Sequence, residues 1–255
     1  MTRAVGIDVG GTKIAAGLVE LETGAVMRRV RQPTRPERGG AAVLADCAAM
    51  AAELGAGDVP VGIGICELVD LDGRVASAET VDWRGLDVVA AFGAAPVTIE
   101  SDVRAAALAE ARFGAGAGLP CFVHAVVGTG ASACLVVAGR PYRGARGNAI
   151  VLGAPPVEEI ASGAALAAAD DLSAAAEAAA AIGRVLAVIV NALDPAAVVV
   201  GGGLGSSPGF VDGVAAALRP AVWWPATREL AVVATALGDD GGAIGAALAT
   251  REGRG

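Results

Sequence analysis

Three glycine-rich turns in this sequence each follow a run of apolar residues: Gly10-Gly11-Thr12, Gly128-Thr129-Gly130 and Gly201-Gly202-Gly203. Glycine allows close backbone approach and unusual backbone angles, so N–H groups in such turns can converge on an oxyanion. The hydroxyls of Thr12 and Thr129 would add donors. One such turn alone reads as a tight connection, whereas three at strand ends, two with a threonine, point to phosphate binding. Asp8 stands just before the first turn, where a divalent cation would link a carboxylate to a phosphate. An ordinary turn aspartate is the alternative. Asp102, beside Ser101 at the start of a helical run, suits either of two tasks. It is an N-cap, which spacing alone favours, or a general base poised on a substrate hydroxyl. No GxxxxGK[ST] pattern is present, which excludes the P-loop, and no GxGxxG opens a helix after the first apolar run, which argues against a dinucleotide site.

These residues need strands to carry them and helices to back the strands. Apolar runs predict a hairpin of Ala4–Ile7 and Ile14–Val19, then a strand over Ala25–Val30. Ala41–Leu54 has helical spacing, Val59–Ile65 and Val97–Glu100 read as strands, and Asp102–Phe113 as a helix that Gly114 ends. The theme then recurs. Phe122–Val127 and Cys134–Val137 flank the second glycine turn, so the stretches around residues 5–12 and 123–130 look like diverged copies. A long alanine-rich helix over Ser173–Ala192, a buried strand over Ala196–Val200 and a helix over Gly241–Thr250 complete the pattern. Strands and helices alternate in both halves, which predicts an α/β architecture with two lobes.

Composition narrows the function classes. The chain has 255 residues, 19 basic and 27 acidic side chains and a net charge of −8, which argues against nucleic acid as a partner. A single histidine and four cysteines with no Cys-x-x-Cys pair argue against a zinc site, and the cysteines read as reduced, buried thiols. Met1-Thr2-Arg3 leads directly into a short strand rather than a signal peptide, and the charge-free stretch from Phe113 to Gly139 is broken by glycines and Pro120. A cytoplasmic protein without a membrane span is expected. His124 in an apolar strand reads as core, and Lys13 as a solvated or phosphate-rim charge. Arg84, Arg104 and Arg143 read singly as surface charge, with ligand contact as the alternative. Trp223-Trp224-Pro225 admits an adenine-side surface, a dimer contact or core.

Taken in order, the motifs resemble the ROK family, the bacterial glucokinase-like sugar kinases and related repressors within the actin and hexokinase superfamily. Asp8-Val9-Gly10-Gly11-Thr12-Lys13 is similar to the first phosphate loop and Gly128-Thr129-Gly130 to the second. Gly62-Ile63-Gly64-Ile65, Trp83-Arg84-Gly85 and Glu100-Ser101-Asp102 with its following helix resemble further family segments. Asp194-Pro195 with Val200 to Gly203 looks like the adenosine segment, and Gly242-Ala243-Ile244-Gly245-Ala246 like the closing helix. The resemblance implies a two-lobed actin-like (ribonuclease H-like) fold with a central cleft, divided near 1–115 and 116–255, the last helix packing back on the first lobe. It implies phosphoryl transfer from ATP with Asp102 as the base. Asp8 would order Mg²⁺ through water, and Gly10, Gly11, Thr12, Lys13, Gly128, Thr129, Gly130 and Gly201 to Gly203 would hold the nucleotide. A homodimer is expected.

The departures fall on the acceptor side. Ser101 replaces the family's sugar-binding asparagine, and Val151 and Ala154 align with its glutamate and histidine. The cysteine-rich zinc loop is missing, while Glu158 still matches a substrate contact. A hexose hydroxyl left unpaired against Val151 costs about 1–3 kcal/mol. The acceptor expected is therefore a sugar-like polyol presenting a primary hydroxyl, a C7-cyclitol of the valiolone type being the specific expectation. The alternatives are a hexose or amino-sugar kinase and a catalytically inactive ligand sensor. Retention of Asp8, Thr12, Asp102 and Thr129 favours the enzyme.

Overall fold

The structure, a computed structural model, describes residues 1–128, 130–149 and 172–252. Two compact units emerge. The first holds Met1–Phe113, Arg143–Ala149 and the described chain from Asp239 onward, and the second holds Gly114–Tyr142 and the described residues up to Gly238.

In unit 1, β1 (Arg3–Val9), β2 (Lys13–Glu20) and β3 (Val26–Pro33) form an antiparallel meander. Helix α1 (Gly40–Glu53) leads to β4 (Val61–Ile65), which pairs parallel with β1 and with β5 (Val97–Ser101), giving the order β3-β2-β1-β4-β5. Helix α2 (Asp102–Phe113) follows β5, and the last helix, α6 (Gly241–Ala249), packs on α2 and β1. Unit 2 repeats the plan. Its sheet runs β10-β9-β6-β7-β8, with β6 (Cys121–Val127), β7 (Ala131–Val137) and β8 (Arg140–Pro141) antiparallel and β9 (Ala197–Gly201) and β10 (Ala231–Ala234) parallel to β6. The two halves are thus copies in topology as well as in motif. Helices α3 (Leu172–Leu193), α4 (Gly202–Gly205) and α5 (Phe210–Leu218) complete the described part of unit 2.

The alternation of β1 and β4 explains how unit 1 is layered. Val5, Ile7 and Val9 with Val61, Ile63 and Ile65 bury against Val43, Cys47 and Met50 of α1. The opposite face of the same strands carries only Ala4, Gly6, Asp8, Gly62 and Gly64, and α6 lies almost on the backbone there. A Cβ at Gly6 would stand 1.8 Å from the Ala243 carbonyl oxygen, and one at Gly62 1.7 Å from that of Ala246. Close approach, not turn geometry, requires glycine here. Within α6, Gly245 meets the Ala105 carbonyl of α2 equally closely. Dense contact among small residues replaces large side chains in this layer.

Element bounds differ from the sequence reading for local reasons. Pro60 has no N–H, so β4 begins at Val61, and Val59 is left to an isolated bridge with Ala56. Strand β7 begins at Ala131, directly after the turn, rather than at Cys134. Helix α5 and strand β10 were not foreseen. Gly213 weakens the helical signal of α5 where it crosses Ala179 of α3, and β10 is a short, largely exposed edge. Among the described residues α3 alone is long and apolar enough to cross a membrane. Its Ala178, Ile182, Leu186 and Val190 are spaced four apart on one face, and all four lie in the core of unit 2.

Candidate active site

Asp8 is on the α6 face of β1, and it is the one polar side chain in a row otherwise made of alanine and glycine. A Cβ at Gly242 would stand 2.3 Å from its Oδ2, so the carboxylate rests against the first turn of α6, whose partial positive charge favours an anion. Burial pushes the Asp8 carboxyl up to about 6; the Lys13 ammonium draws it down and the Asp239 carboxylate raises it again. Lys13 is engaged elsewhere, with Nζ 2.7 Å from Asp239 Oδ1. Asp239 and Asp240 also pair with Arg31, and Asp240 with Arg29, all partly exposed.

Asp102 opens α2 at the carboxyl end of β5. Gly64 of β4 lies in register with both Asp8 and Glu100, so no side chain from the intervening strand separates the two aspartates. Burial and the charge of Asp8 raise the Asp102 carboxyl to about 7. Its Oδ1 accepts the N–H of Val103 at 2.7 Å, one position on, rather than the second or third helical N–H that an N-cap takes. A half-buried carboxylate that takes up a proton near neutral pH has the affinity a general base needs.

The first glycine turn is closed by Gly10 N–H donating to the Lys13 carbonyl at 3.0 Å. Fully buried Thr34 braces it from the end of β3: its Oγ1 donates to the Gly10 carbonyl at 2.7 Å, and its N–H to the Thr12 carbonyl at 2.9 Å. Sequence reasoning missed Thr34, whose only signal was a threonine between two prolines in a loop. It missed Glu67 as well. That buried carboxylate accepts the N–H groups of Glu79, Thr80 and Val81 at 2.7–2.9 Å and the Ser77 hydroxyl, fastening the loop that leads to buried Trp83. Ser77, Glu79 and Trp83 line a cavity of about 1150 Å³ in unit 1, together with Arg84, Val88 and Ile99.

Arg104 is not the surface charge that its type suggested. It is buried, and its Nε donates to Glu100 Oε1 at 2.6 Å. Arg143 Nη2 donates to Glu100 Oε2 at 2.5 Å. Arg84, by contrast, is exposed and pairs with Asp82. None of the four cysteines forms a disulfide, and burial pushes the Cys47 thiol up to about 12 and raises that of Cys66 too.

In unit 2 the second and third glycine turns come together. A Cβ at Gly128 would be 3.7 Å from Gly203 N, and one at Gly202, whose φ is +86°, would be 2.4 Å from the Val127 carbonyl oxygen. Gly201 ends β9 and Gly202–Gly205 form the helical turn α4, so the third segment is a strand end and helix start rather than a plain turn. Gly128 N–H donates to the Gly130 carbonyl at 2.9 Å. His124 is buried in β6. Trp223 and Trp224 are 79% and 58% exposed, which removes the core reading. Asn191, at the end of α3, accepts the Trp223 N–H. The pair therefore lies toward the amino end of β9, opposite to Gly201. Thr129, Glu158, Val151 and Ala154 lie outside the described residues.

The described residues include no group of three or more His, Cys, Asp or Glu placed to hold a metal. One carboxylate, Asp8, meets the lesser demand of Mg²⁺, which keeps waters and phosphate oxygens as most of its ligands. Its buried charge is only partly compensated, because its nearest cation is shared with Asp239.

Comparison with known proteins adds an independent line. The model of the ROK family matches residues 4–165 and 154–252. A glucokinase of Streptomyces coelicolor is 35% identical over 162 residues, 60% of this chain and 49% of that protein, so the match spans about half the relative's length. A polyphosphate glucokinase of Mycobacterium tuberculosis is 30% identical across 96% of this chain and 90% of its own. Among solved structures, a ROK family glucokinase from Streptomyces griseus in complex with glucose and AMPPNP superposes with a TM-score of 0.86 at 28% identity, covering 98% of this chain and 100% of that one. The fold is thus that of the actin-like sugar kinases.

Proposed function

The chain belongs to the ROK family, and on that premise we propose that it is an ATP-dependent kinase that phosphorylates the primary hydroxyl of a sugar-like polyol. The observation that carries the proposal is Asp102, a carboxylate raised to about 7 by burial and by Asp8, at the carboxyl end of a parallel strand. In this reading Asp102 takes the proton of the acceptor hydroxyl as that oxygen attacks the γ-phosphorus, the bond to the bridging oxygen breaks, and ADP leaves. Gly10, Gly11 and Thr12 hold phosphate oxygens, as do Gly128, Thr129 and Gly130, and Gly201 to Gly203 lie along the nucleoside. Mg²⁺, when bound, neutralises charge on the phosphates. Asp8 would hold the ion through its waters, and Lys13 stands at the phosphate rim. The relatives support the donor and acceptor classes: one is named for glucose and crystallised with an ATP analogue.

The finer acceptor is a C7-cyclitol of the valiolone type, a reading supported by Ser101, Val151 and Ala154 where the family has sugar-binding polar groups. Ser101 and Glu158 would contact it. A hexose or amino sugar is the second reading, supported by relatives named glucokinase and by the bifunctional NanE/NanK enzyme of Brucella melitensis, 32% identical over 94% of this chain. A homodimer in the cytoplasm completes the proposal. A coupled assay of ADP release over hexoses, amino sugars and cyclitols tests it. Turnover on one of them is expected, and no turnover on any polyol contradicts it.

A further inference from the structure

Three stretches of unit 1 meet at one guanidinium. Arg104 donates from each of its three guanidinium nitrogens. Nε goes to Glu100 Oε1 at 2.6 Å, Nη2 to the Val69 carbonyl at 2.8 Å, and Nη1 to the Gly147 carbonyl. Glu100 accepts on both oxygens, since Oε1 also takes the Ser101 N–H at 2.8 Å and Oε2 takes Arg143 Nη2 at 2.5 Å. Arg104 and Glu100 are both 6% exposed at the side chain, and Arg143 is 32% exposed. The backbone fits as closely as the charges. Gly147 has φ +84°, and a Cβ there would stand 2.5 Å from the Val69 carbonyl oxygen.

A buried carboxylate and guanidinium lose their hydration, and they are held only where nearly every donor and acceptor finds a partner. Here the partners come from the β5–α2 junction, from 66–70 and from 143–149. Asp102 stands midway between Glu100 and Arg104 in the sequence, so the charges that clasp these segments flank the proposed base. The stretch 66–70 also carries Glu67, which fastens 77–81. We propose that Glu100, Arg104 and Arg143 are positioning residues for the acceptor. They fix segments 66–70 and 143–149 against the turn that presents Asp102, so that the acceptor meets the base in one orientation. This rests on the kinase reading above.

The two arginines differ in a way that can be tested. Arg104 spends three donors in three directions, which a lysine ammonium cannot reproduce, whereas Arg143 donates one hydrogen bond to Glu100, which a lysine can replace. Steady-state kinetics of the full chain, with hydrogen–deuterium exchange over 143–149, supply the readouts. Arg143→Met is expected to raise the acceptor KM about tenfold and leave the ATP KM within twofold, because Asp8 and the glycine turns are untouched. Arg143→Lys should recover most of that loss, and Arg104→Lys should not. Exchange over 143–149 should quicken in Arg143→Met. An unchanged acceptor KM, an equal rise in both KM values, or full rescue by Lys at position 104 would overturn the clasp. Should Arg104→Lys fail to fold, the Arg143 pair decides alone. A wild type inactive on every polyol overturns the kinase reading, and the exchange rates then still decide whether the clasp holds 143–149.

Discussion

In the proposed mechanism two aspartates and their separation in affinity for protons govern the chemistry. Asp102 is raised to about 7 and Asp8 to about 6, both first by burial. A base must be ionised, so kcat/KM should rise with pH and level off above about 7, falling tenfold per unit on the acid side. Asp8→Asn removes the like charge, so the acid limb should move to lower pH even as the rate falls; a pH profile of the variant checks this. Stability runs the other way. A carboxyl raised in the folded state stabilises most below its unfolded value near 4, and that stability is lost as pH rises through about 7. Asp102→Asn should therefore lower kcat by about 10²–10⁴ and yet melt a few degrees higher at pH 8, seen by calorimetry. Asp8 and Asp102 were legible as candidates because carboxylates beside glycine turns and helix starts are few. Thr34, Glu67 and the buried state of Arg104 were not, because each takes its role from partners as far as 10 to 43 residues away.

The β1, β4 and α6 layer sets where those carboxylates stand. Gly62→Ala would drive a methyl into the Ala246 carbonyl, at a cost of about 3 kcal/mol or more and a Tm lower by roughly 6–12 °C. Gly203→Ala is the informative contrast. Nothing lies within 4 Å of its Cβ position, so its Tm should hold. If the nucleotide lies along Gly201–Gly203, the ATP KM should rise several-fold, and calorimetry and kinetics together separate the two effects. Thr34→Val leaves the Gly10 carbonyl without its donor, a loss of about 1–2 kcal/mol, and should raise the ATP KM through the first turn, as titration of the rate with ATP will show. Strand and helix positions were legible wherever apolar periodicity was strong, as in β1, β4 and α3. They failed at β10, a short exposed edge, and at α5, where Gly213 serves packing rather than helix propensity.

The repeated sheet order of the two units makes the molecule a duplicated α/β design, and that much was visible in the likeness of residues 5–12 to 123–130. The last helix breaks the symmetry. By chain order α6 follows β10 of unit 2, yet it packs in unit 1 on α2 and β1. Its glycines and alanines reflect that close placement, which is why a chain with 37 glycines also has so few large core residues. The central claim is that this molecule moves phosphate from ATP to a polyol through Asp102. The measurement that tests it most directly is ADP release coupled to polyol phosphorylation, in the wild type and Asp102→Asn side by side at pH 8. The account predicts turnover on a hexose, amino sugar or cyclitol in the wild type and a loss of at least a hundredfold in the variant. Equal rates in the two proteins, or release of ADP with no phosphorylated polyol, would contradict it.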